Sequence, residues 1–125
     1  VTATDPHLRG ADRVRAVFAR VSDGDLGVAD LYAEDGVIVY GDGARVEGRD
    51  AIRAFYARAI EGNRPQPRVE AILEAPPLYV ALVDVPGTEV NHRALDLFEV
   101  DEGGIRKLEI FARTDGRARA GGADG

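Results

Sequence analysis

Between Asp12 and Ser22 the apolar positions fall at Val14, Val17, Phe18 and Val21, a spacing of i, i+3, i+4 and i+7 that lays one apolar stripe along a helix. Arg13, Arg15 and Arg20 are expected on its wet side. The period stops at SDGD, where Gly24 suits a helix end and Asp25 can cap a second, short helix whose Val28, Leu31 and Tyr32 share a face. AEDG breaks that period. From Gly36 the pattern becomes GVIVY, a GDG turn and ARVEG, which predicts a hairpin of two short strands. Asp50 then opens a third helix, with Ile52, Phe55, Tyr56 and Ala59 at helical spacing, and EGNRPQP ends it.

After Pro67 the period changes to that of strands: RVEAILEA, LYVALVDV, TEVNHRALDLFEV and IRKLEIFAR, separated by the turn chemistry of APP, PG and DEGG. Four such strands predict an antiparallel meander, with LYVALVDV, apolar on both faces, inside it. TDGRARAGGADG has no period, so residues 114–125 read as a loose tail behind a single domain of residues 1–113. The fold class expected is α+β, with three N-terminal helices packed on a strongly curved antiparallel sheet and a conical pocket between the layers.

Composition narrows the function. A chain of 125 residues with 45% hydrophobic residues and no Cys suits one domain without disulfides. The net charge of −6 opposes attachment to phosphate backbones or anionic lipid, so neither nucleic acid nor a membrane is expected as partner. No apolar run is long enough to span a bilayer, and VTATDPHLRG lacks the features of a signal peptide, so the expected compartment is the cytoplasm. Every basic residue but Lys107 is Arg, which reads as coding bias and carries no function.

Candidate chemistry concentrates in TEVNHRALDLFEV. Strand alternation puts Val90, His92, Ala94, Asp96, Phe98 and Val100 on one face, mostly apolar yet holding a carboxyl. A carboxyl there either finds a partner, as a satisfied core Asp does, or takes up a proton and becomes a donor. His92 lies roughly 13 Å from Asp96 along the strand, within reach only across a bound ligand, and a lone His near a strand's start is more often a rim residue than a base. Tyr32 and Tyr56 lie on buried helix faces and Tyr40 ends the first strand; each is either core with a hydroxyl at its edge or part of a proton-sharing network. His7 is left out of the site. Two His without HxH or HExxH spacing give no metal site, and no cofactor is called for.

The run ARVSDGDLGVADLYAEDGVIVYGDGARVEGRDAIRAFYARAI, with HRALDLFEVDEGGIRKLEIFAR, resembles the SnoaL-like and ketosteroid isomerase-like branch of the nuclear transport factor 2-like superfamily. The match covers about Asp12 to Arg113, through the GDL helix break, the LYAEDGV strand entry, the GRDAI helix start and the LDLFEVDEGGI hairpin. The isomerases combine a carboxylate base with an oxyanion hole of a Tyr and a protonated Asp, a worked case in protein chemistry. The resemblance implies that Asp96 holds the place of the neutral Asp, and Tyr32 and Tyr56 those of the supporting tyrosines. Tyr40 stands where the base would be, and Val17, with Phe18 beside it, where the helix-one Tyr would be.

The resemblance thus implies an enzyme that isomerises, cyclises or dehydrates a hydrophobic polyketide-like or steroid-like molecule. Asp96 would donate, and Tyr40 and His92 would orient or relay, in a pocket lined by Val17, Phe18, Tyr32, Ile38, Phe55, Tyr56, Ala94 and Phe98. The alternatives are a non-catalytic ligand binder and a domain that forms a homodimer through the outer sheet face at Leu95 and Leu97.

Overall fold

The computed structural model describes residues 10–63, 65–86 and 90–117, and their side chains except at 63, 90–92 and 113–117. Helix α1 spans Gly10–Asp23 and buries Val14, Val17, Phe18 and Val21, the stripe expected of it. Arg13 departs from expectation: it is buried, 6% exposed. It stands four residues before Val17 and so lies on the flank of the same apolar stripe. Gly24 ends the helix at φ 70, a left-handed turn that Gly adopts without Cβ strain. Asp25 then caps a single 3-10 helix, Leu26–Leu31, by accepting from the Gly27 N–H at 2.8 Å.

Tyr32 belongs to a strand rather than to that helix. Strand β1 runs Tyr32–Tyr40 straight through AEDG, which the sequence pattern marks as a break. The irregularity is real but smaller: the pairing of β1 shifts register between Tyr32 and Val37, with exposed Glu34 and Asp35 in the bulge. Strand β2, Arg45–Glu47, completes the hairpin, and helix α2, Arg49–Asn63, follows with Asp50 in its first turn. The helices are therefore not all N-terminal, because the hairpin separates α2 from the other two.

The meander is present as β3 Arg68–Ala75, β4 Leu78–Val85, β5 Val90–Asp101 and β6 Gly104–Arg117. Strand β6 continues past Arg113 through Thr114, into the segment expected to be tail; residues 118–125 lie outside the described residues. The six strands form one open sheet in the order β2-β1-β6-β5-β4-β3. It is not wholly antiparallel, since β1 pairs parallel to β6. A parallel neighbour demands a long crossover, and here the whole segment from β2 to β5 supplies it. Register shifts between Val69 and Ala71, between Val90 and His92 and between Glu99 and Val100 mark where β-bulges bend the sheet.

Helix α1 packs over β3, β4 and β5, and α2 over β1 and β2. Both also grip the 3-10 helix, whose carbonyls take up arginines. Arg20 donates to Gly27 O at 3.2 Å, Arg53 to Leu26 O at 3.4 Å and Arg13 to Leu31 O at 3.4 Å. Arg49 donates through Nε and Nη2 to Tyr32 O at 3.1 and 2.8 Å. Leu31 O stands at the C-terminal end of that helix, where carbonyls lack intrahelical partners. Arginines that composition alone marks as coding bias thus hold the segment that enters the sheet.

Candidate functional site

Register fixes the floor of the concave face row by row. One row runs Ile72, Ala81, Asp96, Ile110, Tyr40 across β3, β4, β5, β6 and β1. Toward the β5–β6 turn the next row is Tyr79, Phe98, Leu108, Ile38, every member of it buried. Away from the turn lies a row of small side chains, Val83, Ala94 and Ala112. Asp96 is the polar member of an apolar floor. Tyr40 shares its row two strands away, roughly 10 Å between backbones.

Asp96 is only 7% exposed, and its Oδ1 has no hydrogen-bond partner among the described residues. Burial alone raises its carboxyl from 3.8 to about 7, since no cation offsets the loss of water. The satisfied-Asp alternative therefore does not hold for Oδ1. Near it, Tyr32 and Tyr56 share a hydrogen bond of 2.6 Å between their hydroxyls, in which either can donate. Burial raises both phenols, and the Asp96 carboxylate would raise them further. Both stay protonated at neutral pH. Tyr32 reaches this place from the start of β1 and Tyr56 from α2, so the pair joins the sheet to the helix that covers it.

The aromatic line continues from Tyr56 to Phe55, edge-on at 5.1 Å, and from Phe55 to Tyr40 at 5.7 Å. Tyr40 is half-buried; burial raises its phenol, with Arg58 acting in the opposite direction. On the other flank Phe18 of α1 meets Phe98 edge-on at 6.0 Å. Of the expected pocket residues, Val17, Phe18, Tyr32, Ile38, Tyr56 and Phe98 are packed core, none more than 9% exposed, while Phe55 and Ala94 are half-buried. His92 pairs by backbone with Val85 and Thr114, and its side chain lies outside the described residues.

Hydropathy could not show that Phe18 and Phe98 meet, because that contact joins a helix to a strand remote in sequence. Surface hollows lie apart from Asp96. One of about 810 Å³ is lined by Ala33, Glu34, Asp35, Arg49, Gly103 and Arg106. Another of about 620 Å³ opens beside Tyr40, Asp42, Ile110 and Phe111, at the β1 end of the Asp96 row. Among the described residues no group of three or more His, Asp or Glu is placed to hold a metal ion. Nor is any described helix long and apolar enough to cross a membrane.

The family model of the SnoaL-like domain matches residues 14–108. The chain belongs to the SnoaL-like family. Among solved structures it is similar to a protein from Sphaerobacter thermophilus, 28% identical over 86% of this chain and 99% of that one, with a TM-score of 0.71. It is also similar to the epoxide hydrolase/cyclase-like enzyme SalBIII, of pyran ring formation in the polyether salinomycin, 18% identical over 82% and 89% of the two chains with a TM-score of 0.74. A protein of ketosteroid isomerase-like fold from Catenulispora acidiphila, in complex with trimethylamine, is 16% identical over 82% and 86% with a TM-score of 0.71. At such identities the last two show a SnoaL-like fold and no activity. No curated protein matches the chain significantly.

Proposed function

We propose that the concave face forms a conical pocket for a hydrophobic small molecule and that Asp96, as a neutral carboxylic acid, hydrogen-bonds an oxygen of it. Charge developing on that oxygen during isomerisation, cyclisation or dehydration is stabilised by the same contact. The observation that carries this reading is the buried Asp96 Oδ1 with no partner inside the described protein. A lone buried polar atom costs stability, and a ligand that satisfies it recovers that cost. The Tyr32–Tyr56 pair adds two neutral hydroxyls beside the same carboxyl. The epoxide hydrolase/cyclase-like enzyme SalBIII lends ring-forming chemistry a precedent on this fold.

One observation favours a second reading, binding without turnover. Tyr40 ends β1 where the resemblance puts a base, and a phenol raised above its ordinary 10.0 does not take a carbon-bound proton at neutral pH. His92 is then the remaining acceptor to be tried. The outer sheet face supports a homodimer, with Leu95 48% and Phe111 50% exposed and opposite each other in β5 and β6.

Native mass spectrometry of the purified chain tests these together, reading both a retained ligand and the dimer mass. Asp96→Asn keeps the shape and removes the acid. An enzyme is expected to lose turnover of the recovered ligand while a binder keeps its affinity; unchanged turnover removes Asp96 from the chemistry.

A further inference from the structure

Asp96 lines none of the surface hollows described above, so a ligand for its Oδ1 has to be let in by a side chain that moves. The neighbours of the carboxyl differ in how firmly they are held. Toward the β5–β6 turn Phe98 and Ile38 are fully buried, and Phe98 meets Phe18 edge-on. On the helix side Tyr32 and Tyr56 are buried and tied hydroxyl to hydroxyl at 2.6 Å. Toward β1 the packing loosens. Ile110, directly opposite Asp96 on β6, is half-buried, and so are Tyr40, next in the row, and Phe55 above it. The hollow of about 620 Å³ comes up to this side and is lined by both Tyr40 and Ile110. We propose that Tyr40 is the entrance residue of the Asp96 site: its ring, closed against Phe55, covers the way over Ile110 and swings into that hollow to admit a ligand.

The entrance rests on the reading that Asp96 binds a ligand, and it gives Tyr40 a role other than that of the base whose place it holds. The backbone of Tyr40 is fixed, since its N–H donates to Ala44 O at 2.9 Å and its carbonyl accepts from the Gly43 N–H at 2.8 Å. Its side chain is held more loosely. The ring meets Phe55 at 5.7 Å, and no hydrogen bond among the described residues ties its hydroxyl. A half-exposed side chain on a fixed backbone changes rotamer quickly, whereas a ring packed at interior density moves only if its surroundings rearrange. Tyr40 can therefore open without disturbing the sheet, and Phe98, Tyr32 and Tyr56 cannot.

Carbodiimide labelling of Asp96 measures access without a known ligand. The reagent adds to a protonated carboxyl, and glycinamide then displaces it as a urea and leaves an amide. At pH 6 the Asp96 carboxyl still holds its proton, and peptide mass spectrometry reads its labelling against that of exposed Asp101 in the same strand. Tyr40→Ala is expected to raise the relative rate at Asp96 at least tenfold, because labelling follows the population of the open form. Tyr40→Leu, a smaller cut that guards against a variant that fails to fold, is expected to raise it less. Tyr40→Phe keeps the ring and is expected to stay within about twofold of the wild type, since the ring and not the hydroxyl is the barrier. An unchanged rate in Tyr40→Ala with native circular dichroism overturns the entrance. So does an equal rise in Phe18→Ala, or a rise that tracks the loss of global stability across the variants, since unfolding then supplies the access. The labelling rates depend on no ligand, so they decide the entrance even where Asp96→Asn leaves ligand affinity and turnover unchanged and the anchor is discarded.

Discussion

Two regions of this small domain treat their polar atoms in opposite ways. In the segment 26–32 the carbonyls of Leu26, Gly27, Leu31 and Tyr32 each accept from an arginine of α1 or α2. On the concave floor, a few strands away, Asp96 Oδ1 accepts from nothing among the described residues. The first region spends charged side chains on neutral carbonyls. The second leaves an acid in an apolar row and lets it hold a proton. Desolvation penalises both, so the contrast lies in supply: arginine donors reach these carbonyls, and among the described residues none reaches Asp96 Oδ1. A group left unsatisfied in a domain otherwise so supplied points to a partner that is not part of the chain.

The largest expected effect sharpens that contrast through pH. Unfolded, the Asp96 carboxyl titrates near its ordinary 3.8; folded, burial holds it neutral up to about 7. The unfolded chain releases this proton first, so the group's contribution to stability is greatest below 3.8, falls as pH rises through the window, and is level above about 7. About three pH units of separation correspond to a loss of about 4 kcal/mol by pH 8. Asp96→Asn cannot titrate. Urea unfolding of both proteins from pH 4 to pH 8 is expected to show the variant gaining on the wild type across that interval, and parallel curves would place the carboxyl in water.

The same contrast explains what the sequence made legible. Helical and strand periods located α1, α2 and all four meander strands, because each buries a continuous face that repeats locally. Asp96 stands out for the same reason, a charge in an apolar alternation. Three features are not local. The parallel pairing of β1 with β6 joins Ile38 to Leu108, and nothing in either strand's pattern announces its partner. Tyr32 looks helical because it keeps the spacing of Val28 and Leu31, yet it is already extended, at φ −91 and ψ 150. The arginine contacts with segment 26–32 span separations of 7 to 27 residues and have no hydropathy signature.

A smaller effect is expected at Arg49, which tests the satisfied region from its best-made contact. Its guanidinium forks onto Tyr32 O at 3.1 and 2.8 Å, and a charged donor to a partly buried carbonyl contributes more than a neutral one. Arg49→Met keeps much of the stem and removes the fork. The change is expected to cost about 2 kcal/mol of stability in urea unfolding. Arg49→Lys, which retains charge without the planar fork, is expected to recover less than half of it. The pH dependence assigned to Asp96 is expected to survive in Arg49→Met. If it disappears, the two regions are one coupled network and the contrast between them is false.

The smallest effect belongs to Arg53, which serves the same segment from the surface. Its Nη1 lies 3.4 Å from Leu26 O, and its Nη2 3.0 Å from Asp30 Oδ1, in a pair whose side chains are 44% and 29% exposed. Water competes for every atom of this arrangement, and a long side chain must be held still to make it. Arg53→Ala is therefore expected to cost less than about 1 kcal/mol, which falls toward zero in molar salt. A double-mutant cycle with Asp30→Ala isolates the ion pair, and a coupling below about 0.5 kcal/mol is expected from its exposure. What remains of the single-variant cost belongs to the carbonyl contact, which is long for a hydrogen bond. A coupling well above about 1 kcal/mol at high salt would mean that the 26–32 segment is held by its surface charges as firmly as by Arg49 beneath them.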